Sequence, residues 1–158
     1  MPMLELAGLG LDDLAMALAD QSIGDRRWLI DPKTGELILW TEELGIDGEN
    51  PVDLDELDLV AIWPLPPRVW YRDMADFVAG LSDARAAERL EYSLRGKGAF
   101  RRFRDELHRR HPDMVPAWRA FSAVRGHQHV VDWLVDNGLI EQSEADRFFA
   151  EHPDPAIP

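Results

Sequence analysis

A cluster of prolines at residues 64–67 constrains the fold most strongly, because the pattern of apolar residues changes there. Before the cluster, short apolar runs bounded by turn-forming residues predict β-strands. After it, apolar residues recur every three or four positions, which is the spacing of amphipathic α-helices. Proline cannot donate a hydrogen bond to a β-ladder, so the last strand must end at this cluster. We therefore predict an α+β fold in which a small three-stranded antiparallel sheet packs against a C-terminal bundle of four or five helices.

Two of the predicted strands form a β-hairpin. Apolar runs at residues 28–30 and 37–40 flank a loop in which Asp31 can open a turn and Gly35 can adopt the left-handed conformation that closes it. A short loop of this kind between two apolar runs is typical of a hairpin. The third strand is predicted at residues 59–63.

Helices are predicted on both sides of the sheet-forming part. A short one covers Leu11–Ala19, with Asp12 and Asp13 in its first turn, where carboxylates stabilise the positive end of a helix. In a helix at Ala99–Arg110, Phe100 and Phe103 fall on the apolar face with Leu107, so we expect both rings in the core. The other helical patterns lie at residues 74–81, 86–94, 114–136 and 143–151, with Ser82-Asp83 and Ser143 as candidate N-caps.

The chain of 158 residues fits one domain with an acidic sheet-containing half (1–67), a helical half (68–152) and a frayed tail (153–158). Apolar residues make up 46%, which is enough for a globular core. No apolar run approaches the ~20 residues of a transmembrane helix, and no basic residue precedes the apolar N-terminal positions as in a secretory signal. The absence of cysteine excludes disulfides and thiolate sites. It is compatible with a reducing cytoplasm, which is the location we expect.

Charge is distributed very unevenly along the chain. The net charge is −13, yet residues 85–125 contain eleven basic and five acidic side chains. Residues 1–66 contain fifteen acidic and three basic ones. Such asymmetry indicates electrostatic partnering. The partner of the basic segment is either the acidic half of the same fold or another molecule, and both remain open at this stage.

Several segments, in order, carry a family resemblance. They are RRWLIDPKTGEL (26–37), YRDMADFV (71–78), GKGAFRRFRDEL (96–107), and then Trp118, Phe121, Arg125 and Trp133-Leu134. They are similar to the motifs YLD-x-x-TGE, Y-x-x-M-x-x-F, G-x-GAFRRFKD-x-L and W-x-x-F…R…WL of a bacterial group catalogued as uncharacterised protein family 0158. The sequence departs from that pattern at Arg104, where a lysine is usual, and at Arg119, where an aromatic residue is usual. The resemblance implies a small soluble bacterial protein and implies no activity.

The candidate binding site is the corner from Gly96 to Arg104, where a glycine turn leads into the arginine-rich helix. Backbone N–H groups at such a helix start attract anions. The candidate binding residues are Arg95, Lys97, Arg101, Arg102 and Arg104. The leading hypothesis is a non-enzymatic protein-binding or regulatory module that acts through this helix, with self-association as one form. The alternative is an RNA- or phosphate-binding module, and an enzyme of unknown class comes third. A purely structural corner, with its arginines paired to Asp105, Glu106 and the acidic half, is also open. Within the helix, opposite charges recur at a spacing of four, which predicts the ion pairs Arg101–Asp105–Arg109 and Arg102–Glu106–Arg110.

The sequence offers no catalytic residue, metal ligand or cofactor motif that we would assign. The corner lacks the Lys-Ser/Thr ending of a Walker A loop. The pairs His108/His111 and His127/His129 do not have the spacing of convergent zinc ligands. Asp53, Asp55 and Glu56 lie in an acidic loop without the ligand spacing of a calcium site. We expect no cofactor, no metal and no membrane partner.

Overall fold

The structure, a computed structural model, describes residues 3–21, 24 and 26–158. It confirms the α+β class, with a three-stranded antiparallel sheet near the N-terminus and helices after it. The strands are β1 (Arg26–Ile30), β2 (Leu37–Thr41) and β3 (Val60–Ile62). The α-helices of the described part are α1 (Leu11–Ala19), α2 (Pro67–Ala79), α3 (Ala84–Ser93), α4 (Ala99–Arg110), α5 (Val115–Asp136) and α6 (Gln142–Glu151). Short 3₁₀ turns occur at Leu6–Gly8, Leu54–Glu56 and Pro112–Met114.

The chain divides into two compact units. The first comprises Met1–Leu65 and His127–Glu151, and the second comprises Pro66–Gly126 and His152–Pro158. Helix α5 therefore contributes its first half to the second unit and its second half to the first. The expectation of a single domain stays a prediction, because it concerns whether the two units unfold together.

The sheet of the first unit has the order β2-β1-β3, with both neighbours antiparallel to β1. Leu29 of β1 lies opposite Ile38 and Ala61, and it is almost fully buried. The hairpin closes as predicted, since the N–H of Gly35 donates to the carbonyl oxygen of Asp31 at 2.8 Å. Gly35 has φ +79°, which side chains other than glycine rarely adopt. The hairpin and the third strand are thus confirmed.

Helices and the N-terminal segment complete the first unit. Leu14, Ala17 and Leu18 of α1 are buried, as their spacing predicts. The N–H of Leu4 donates to the carbonyl oxygen of Leu139 at 2.8 Å. Leu139 itself folds back onto the end of α5, where Gly138 has a left-handed φ of +68°. Helix α6 begins at Gln142, so the predicted cap at Ser143 is wrong. The N–H groups of the first turn donate instead to the carbonyl oxygen of Glu141.

The second unit is organised around an aromatic core. Phe77, Phe103 and Phe121 are almost completely buried, and the Trp118 ring lies 5.0 Å from that of Phe103 in an edge-to-face arrangement. The N-cap of α3 is confirmed, since the Asp83 carboxylate accepts hydrogen bonds from two N–H groups of the first turn. The buried cluster consists of Met74, Phe77, Val78, Leu90, Leu94, Phe103, Leu107, Val115 and Phe121.

Phe100 does not join this core, so that part of the α4 prediction is wrong. Its side chain is 46% exposed, whereas Phe103 is 1% exposed. Cα–Cβ bonds of a helix tilt toward its N-terminus. A ring in the first turn, as Phe100 is, therefore projects past the end of the helix. Ala99 takes the buried position of that turn instead.

The C-terminal segment is bound to the second unit, in contrast to the frayed tail expected at residues 153–158. The Asp154 carboxylate accepts two hydrogen bonds of 3.0 Å from the Arg125 guanidinium. Ile157 packs against the aromatic core. The carbonyl oxygen of Pro158 accepts a 2.9 Å hydrogen bond from the N–H of Ser82. None of the helices within the described residues is long and apolar enough to cross a bilayer.

Candidate functional site

Two glycines create the corner between α3 and α4. Gly96 and Gly98 have φ values of +72° and +76°, in the left-handed region that favours glycine. Gly98 occupies the N-cap position of α4, and no side chain caps the helix there. The N–H of Arg95 donates to the carbonyl oxygen of Tyr92 and ends α3. The sequence Arg95-Gly96-Lys97-Gly98 therefore ends one helix and begins the next within one short turn, as predicted.

Arg102 stabilises this corner through hydrogen bonds to the backbone. Its Nε donates to the Ser93 carbonyl oxygen at 3.2 Å, and its two terminal nitrogens donate to the carbonyl oxygens of Lys97 and Arg95. The planar, multi-donor guanidinium suits this task, which a lysine ammonium would serve less well. The predicted Arg102–Glu106 pair is not formed. Glu106 instead lies 3.2 Å from Nε of Arg110.

Arg101 and Arg104 project away from the core. Phe103 marks the buried side of α4, and at 3.6 residues per turn Arg101 lies about 160° and Arg104 about 100° around the helix from it. Arg101 makes a loose contact of 3.9 Å with Asp105. In the described part of the chain, neither Arg104 nor Lys97 has a carboxylate within ion-pair distance. We call Phe100, Arg101 and Arg104 the outer face of α4.

Arg95 belongs to a different surface, on the side of α3. It lines a groove of about 560 Å³ together with Arg85, Arg89 and Tyr92 and with the carboxylates of Glu88 and Glu106. The Arg95 guanidinium lies 5.6 Å from the Tyr92 ring centroid, and Tyr92 is 71% exposed. Sequence reasoning missed the two arginines and the tyrosine that α3 contributes to this groove. Their spacing of four and three residues puts them on one helix face, which is the signal that would have found them.

The five predicted binding residues are thus only partly brought together. Arg101 and Arg104 share the outer face of α4, and Lys97 lies in the turn that precedes it. Arg95 borders the α3 groove. Arg102 is exposed, but its guanidinium is already engaged by three backbone carbonyl oxygens. The number of cations available to a ligand on one face is therefore smaller than the sequence suggests.

Arg125, although part of the basic segment, does not contribute to an exposed basic surface. Its mostly buried guanidinium lies 3.2 Å from Asp73 and 2.8 Å from Asp76, besides the two bonds to Asp154. It also lies 4.8 Å from the centroid of the Phe121 ring. Burial lowers the pKa of Arg125, but the hydrogen bonds to Asp154 and Asp76 outweigh this effect and hold the pKa above its usual value. This charge cluster connects the tail to the core of the second unit and offers nothing to a ligand.

A histidine of α5 contacts a carboxylate of α1. His127 Nε2 lies 2.6 Å from Asp12 Oδ1, so one of the two aspartates at the start of α1 contacts an imidazole. Over residues 3–21, 24 and 26–158, no three histidines, aspartates or glutamates are placed to hold a metal ion.

Comparison of the chain with protein-family models, with curated proteins and with solved structures gave no match.

Proposed function

We propose that this protein is a non-enzymatic protein-binding or regulatory module that binds an acidic partner through the outer face of α4. The observation that carries the proposal is the exposure of Phe100 next to Arg101 and Arg104. Aromatic rings and arginines are the residue types that dominate binding energy at protein interfaces. A phenylalanine left almost half exposed also forgoes hydrophobic stabilisation that contact with a partner would supply.

The charge of the corner and helix favours an acidic partner. Residues 95–110 contain seven lysines and arginines but only two acidic residues, Asp105 and Glu106. Glu106 is engaged by Arg110, and Asp105 makes only the loose contact with Arg101. The outer face is therefore positive within a chain of net charge −13. Complementary charge of this kind steers association and selects against wrong partners.

An RNA- or phosphate-binding function is the second candidate, and the same ring supports it. Single-stranded nucleic acids bind to exposed aromatic side chains on which bases stack, and Phe100 provides one beside two arginines. A polyanion, however, extends beyond one helix and is repelled by the net charge of −13. A protein needs only one acidic patch to match the outer face. We therefore rank protein binding first.

Site-specific photo-crosslinking tests the proposal. The photoreactive analogue p-benzoylphenylalanine is placed at Phe100 in cells that express the chain, and Trp63, an exposed aromatic residue of the first unit, carries it as the matched control. We expect discrete protein adducts from position 100 that position 63 does not give, and we expect Arg104→Glu to abolish them. Arg119→Glu, an equal charge change at an exposed arginine of α5, should leave them unchanged.

The same experiment separates the two candidate functions. Adducts that resist ribonuclease and yield peptides of a second protein by mass spectrometry support a protein partner, whereas adducts that ribonuclease removes support RNA. Identical adducts from positions 100 and 63, or none from position 100, would contradict both candidates.

We also propose that the chain belongs to uncharacterised protein family 0158 and acts in the cytoplasm. The support is the run GAFRRFRD at residues 98–105, together with the absence of cysteine. Fractionation of cells that express the chain checks the location, since recovery in the membrane fraction would contradict it.

A further inference from the structure

The outer face of α4 has an apolar centre and a positive rim, so its partner must present apolar side chains surrounded by carboxylates. One segment of this chain has that composition. Residues 41–58 contain eight aspartates and glutamates and no lysine or arginine. Within the segment, Leu44 and Ile46 are 48% and 42% exposed, which is unusual for two large aliphatic side chains so close together.

The backbone holds these two side chains in a fixed arrangement. Thr41 and Gly45 exchange two backbone hydrogen bonds of 3.0 and 2.9 Å, and Gly45 has φ +63°. A Cβ at Gly45 would collide with the carbonyl oxygen of Asn50. We call residues 42–49 the acidic turn. Because the turn is already ordered, little conformational entropy remains to be lost when it binds.

We propose that the partner of the outer face is a second copy of this chain, whose acidic turn docks on Phe100, Arg101 and Arg104. This inference rests on the proposed function and names the partner for the same site. Leu44 and Ile46 of one copy would cover the exposed Phe100 ring of the other. Glu42, Glu43 and Glu49 would face the two arginines.

Such a contact is heterologous, because two different surfaces meet. Each copy that uses its acidic turn still has a free outer face, so association continues into a ring or an open chain. The net charge of −13 on each copy opposes this at long range. Near 0.1 M salt, where the Debye length is ~10 Å, the repulsion is largely screened while the direct contact persists. At ~1 M salt the Debye length falls to ~3 Å and the contact should weaken as well.

Sedimentation of complementary variants tests the inference. Arg104→Glu removes the outer face, and Glu43→Lys removes the acidic turn. Near 0.1 M salt we expect each variant alone to stay at the monomer mass of 18.0 kDa while the wild type grows with concentration. An equimolar mixture of the two should associate again, because Glu43 of one variant meets Arg104 of the other and the introduced lysine meets the introduced glutamate. The double variant Arg104→Glu with Glu43→Lys should associate again.

Two controls separate the contact from a general effect of charge. Arg119→Glu and Glu151→Lys make the same charge changes at exposed positions elsewhere and should associate like the wild type. Gly45→Ala changes no charge but disrupts the acidic turn, and it should abolish association while the circular dichroism spectrum stays native.

The outcomes distinguish this inference from the proposed function. A wild-type protein that stays monomeric at every concentration and salt, or a mixture that gives no dimer, overturns the self-association. If Phe100 crosslinks nevertheless capture a different protein, the proposed function stands with another partner. If position 100 gives an adduct of twice the chain mass that Glu43→Lys abolishes, both are supported.

Discussion

Replacing Phe103 by alanine should destabilise the second unit more than any other single change in α4. The ring is 1% exposed, and it packs edge to face on Trp118 with the centroids 5.0 Å apart. Its removal takes away a fully buried aromatic group and leaves a cavity between α4 and α5. Phe→Ala changes at such positions cost about 3–5 kcal/mol, of which ~0.5–1.5 kcal/mol reflects the ring–ring contact.

Thermal and urea unfolding, followed by far-UV circular dichroism, measure this loss. For a chain of this size 1 kcal/mol shifts Tm by ~2–4 °C, so we expect Tm to fall by roughly 6–20 °C. The urea m-value should stay unchanged if the native state keeps its fold. The unfolding curves also test the prediction that the chain forms a single domain. One shared transition that moves as a whole supports one cooperative domain, whereas two transitions of which only one moves indicate units that unfold separately.

Phe100→Ala is the matched control, because the same side chain is removed from the same helix. Its ring is exposed, so the free energy of unfolding should change by less than about 0.5 kcal/mol. A loss of several kcal/mol for Phe100→Ala, or a negligible one for Phe103→Ala, would show that α4 presents a different side to the core. It would also remove the exposed ring on which the proposed binding face depends.

Three further changes test other parts of the structure. Arg102→Lys should lower the free energy of unfolding by about 1 kcal/mol in urea titrations, because one ammonium cannot donate to the carbonyl oxygens of Ser93, Lys97 and Arg95 together. An unchanged urea midpoint would contradict the role of Arg102 in stabilising the corner. Deleting residues 153–158 should cost about 2 kcal/mol in the same assay, through loss of the Ile157 packing and the Asp154–Arg125 pair, whereas a truly frayed tail would cost nothing. Hydrogen bonds from the Asn50 N–H, the Asn50 side chain and the Glu49 N–H lower the pKa of Asp47 to about 2. Because that pKa is depressed on folding, the ionised Asp47 carboxylate stabilises the fold above the ordinary aspartate pKa of about 3.9, and this stabilisation is lost as pH falls toward 2. Replacing Asn50 by alanine should raise the midpoint of the Asp47 carboxyl titration, followed by NMR.

Local sequence patterns predicted the elements of this fold well. The hairpin follows from Asp31 and Gly35 between two apolar runs, and the start of α3 follows from Asp83, because these residues act within a few positions of themselves. The limits of α1 and α4 agree with the apolar spacing for the same reason. Phe100 is an exception to the prediction of burial from apolar spacing. Its position on the helix wheel matches the apolar face, but the wheel does not show that a large ring in the first turn projects past the end of the helix.

Contacts between distant residues could not be predicted in the same way. Arg125 and Asp154 are far apart in the chain, and no local pattern pairs them, so the bound tail was missed. Arg102 was expected to pair along the helix with Glu106, but it turns back toward the carbonyl oxygens of the preceding corner. In both cases an arginine counted as part of a basic patch is used to hold the backbone or the tail. The net charge of a sequence segment therefore overestimates the charge that is exposed to a ligand.

Some side chains of α4 stabilise the fold and others are free to bind a partner, so the proposed function can be tested separately from stability. Phe103 and Leu107 hold the helix on the core, while Arg102 fixes the corner before it. Phe100 and Arg104 contribute to neither the core nor the corner. Phe100 is exposed, and Arg104 has no ion pair among the described residues. Changes to the first group should alter stability, and changes to the second should alter binding alone. A variant of Arg104 that loses binding at unchanged Tm would therefore assign the outer face to a partner, because no structural contact of that side chain accounts for the loss.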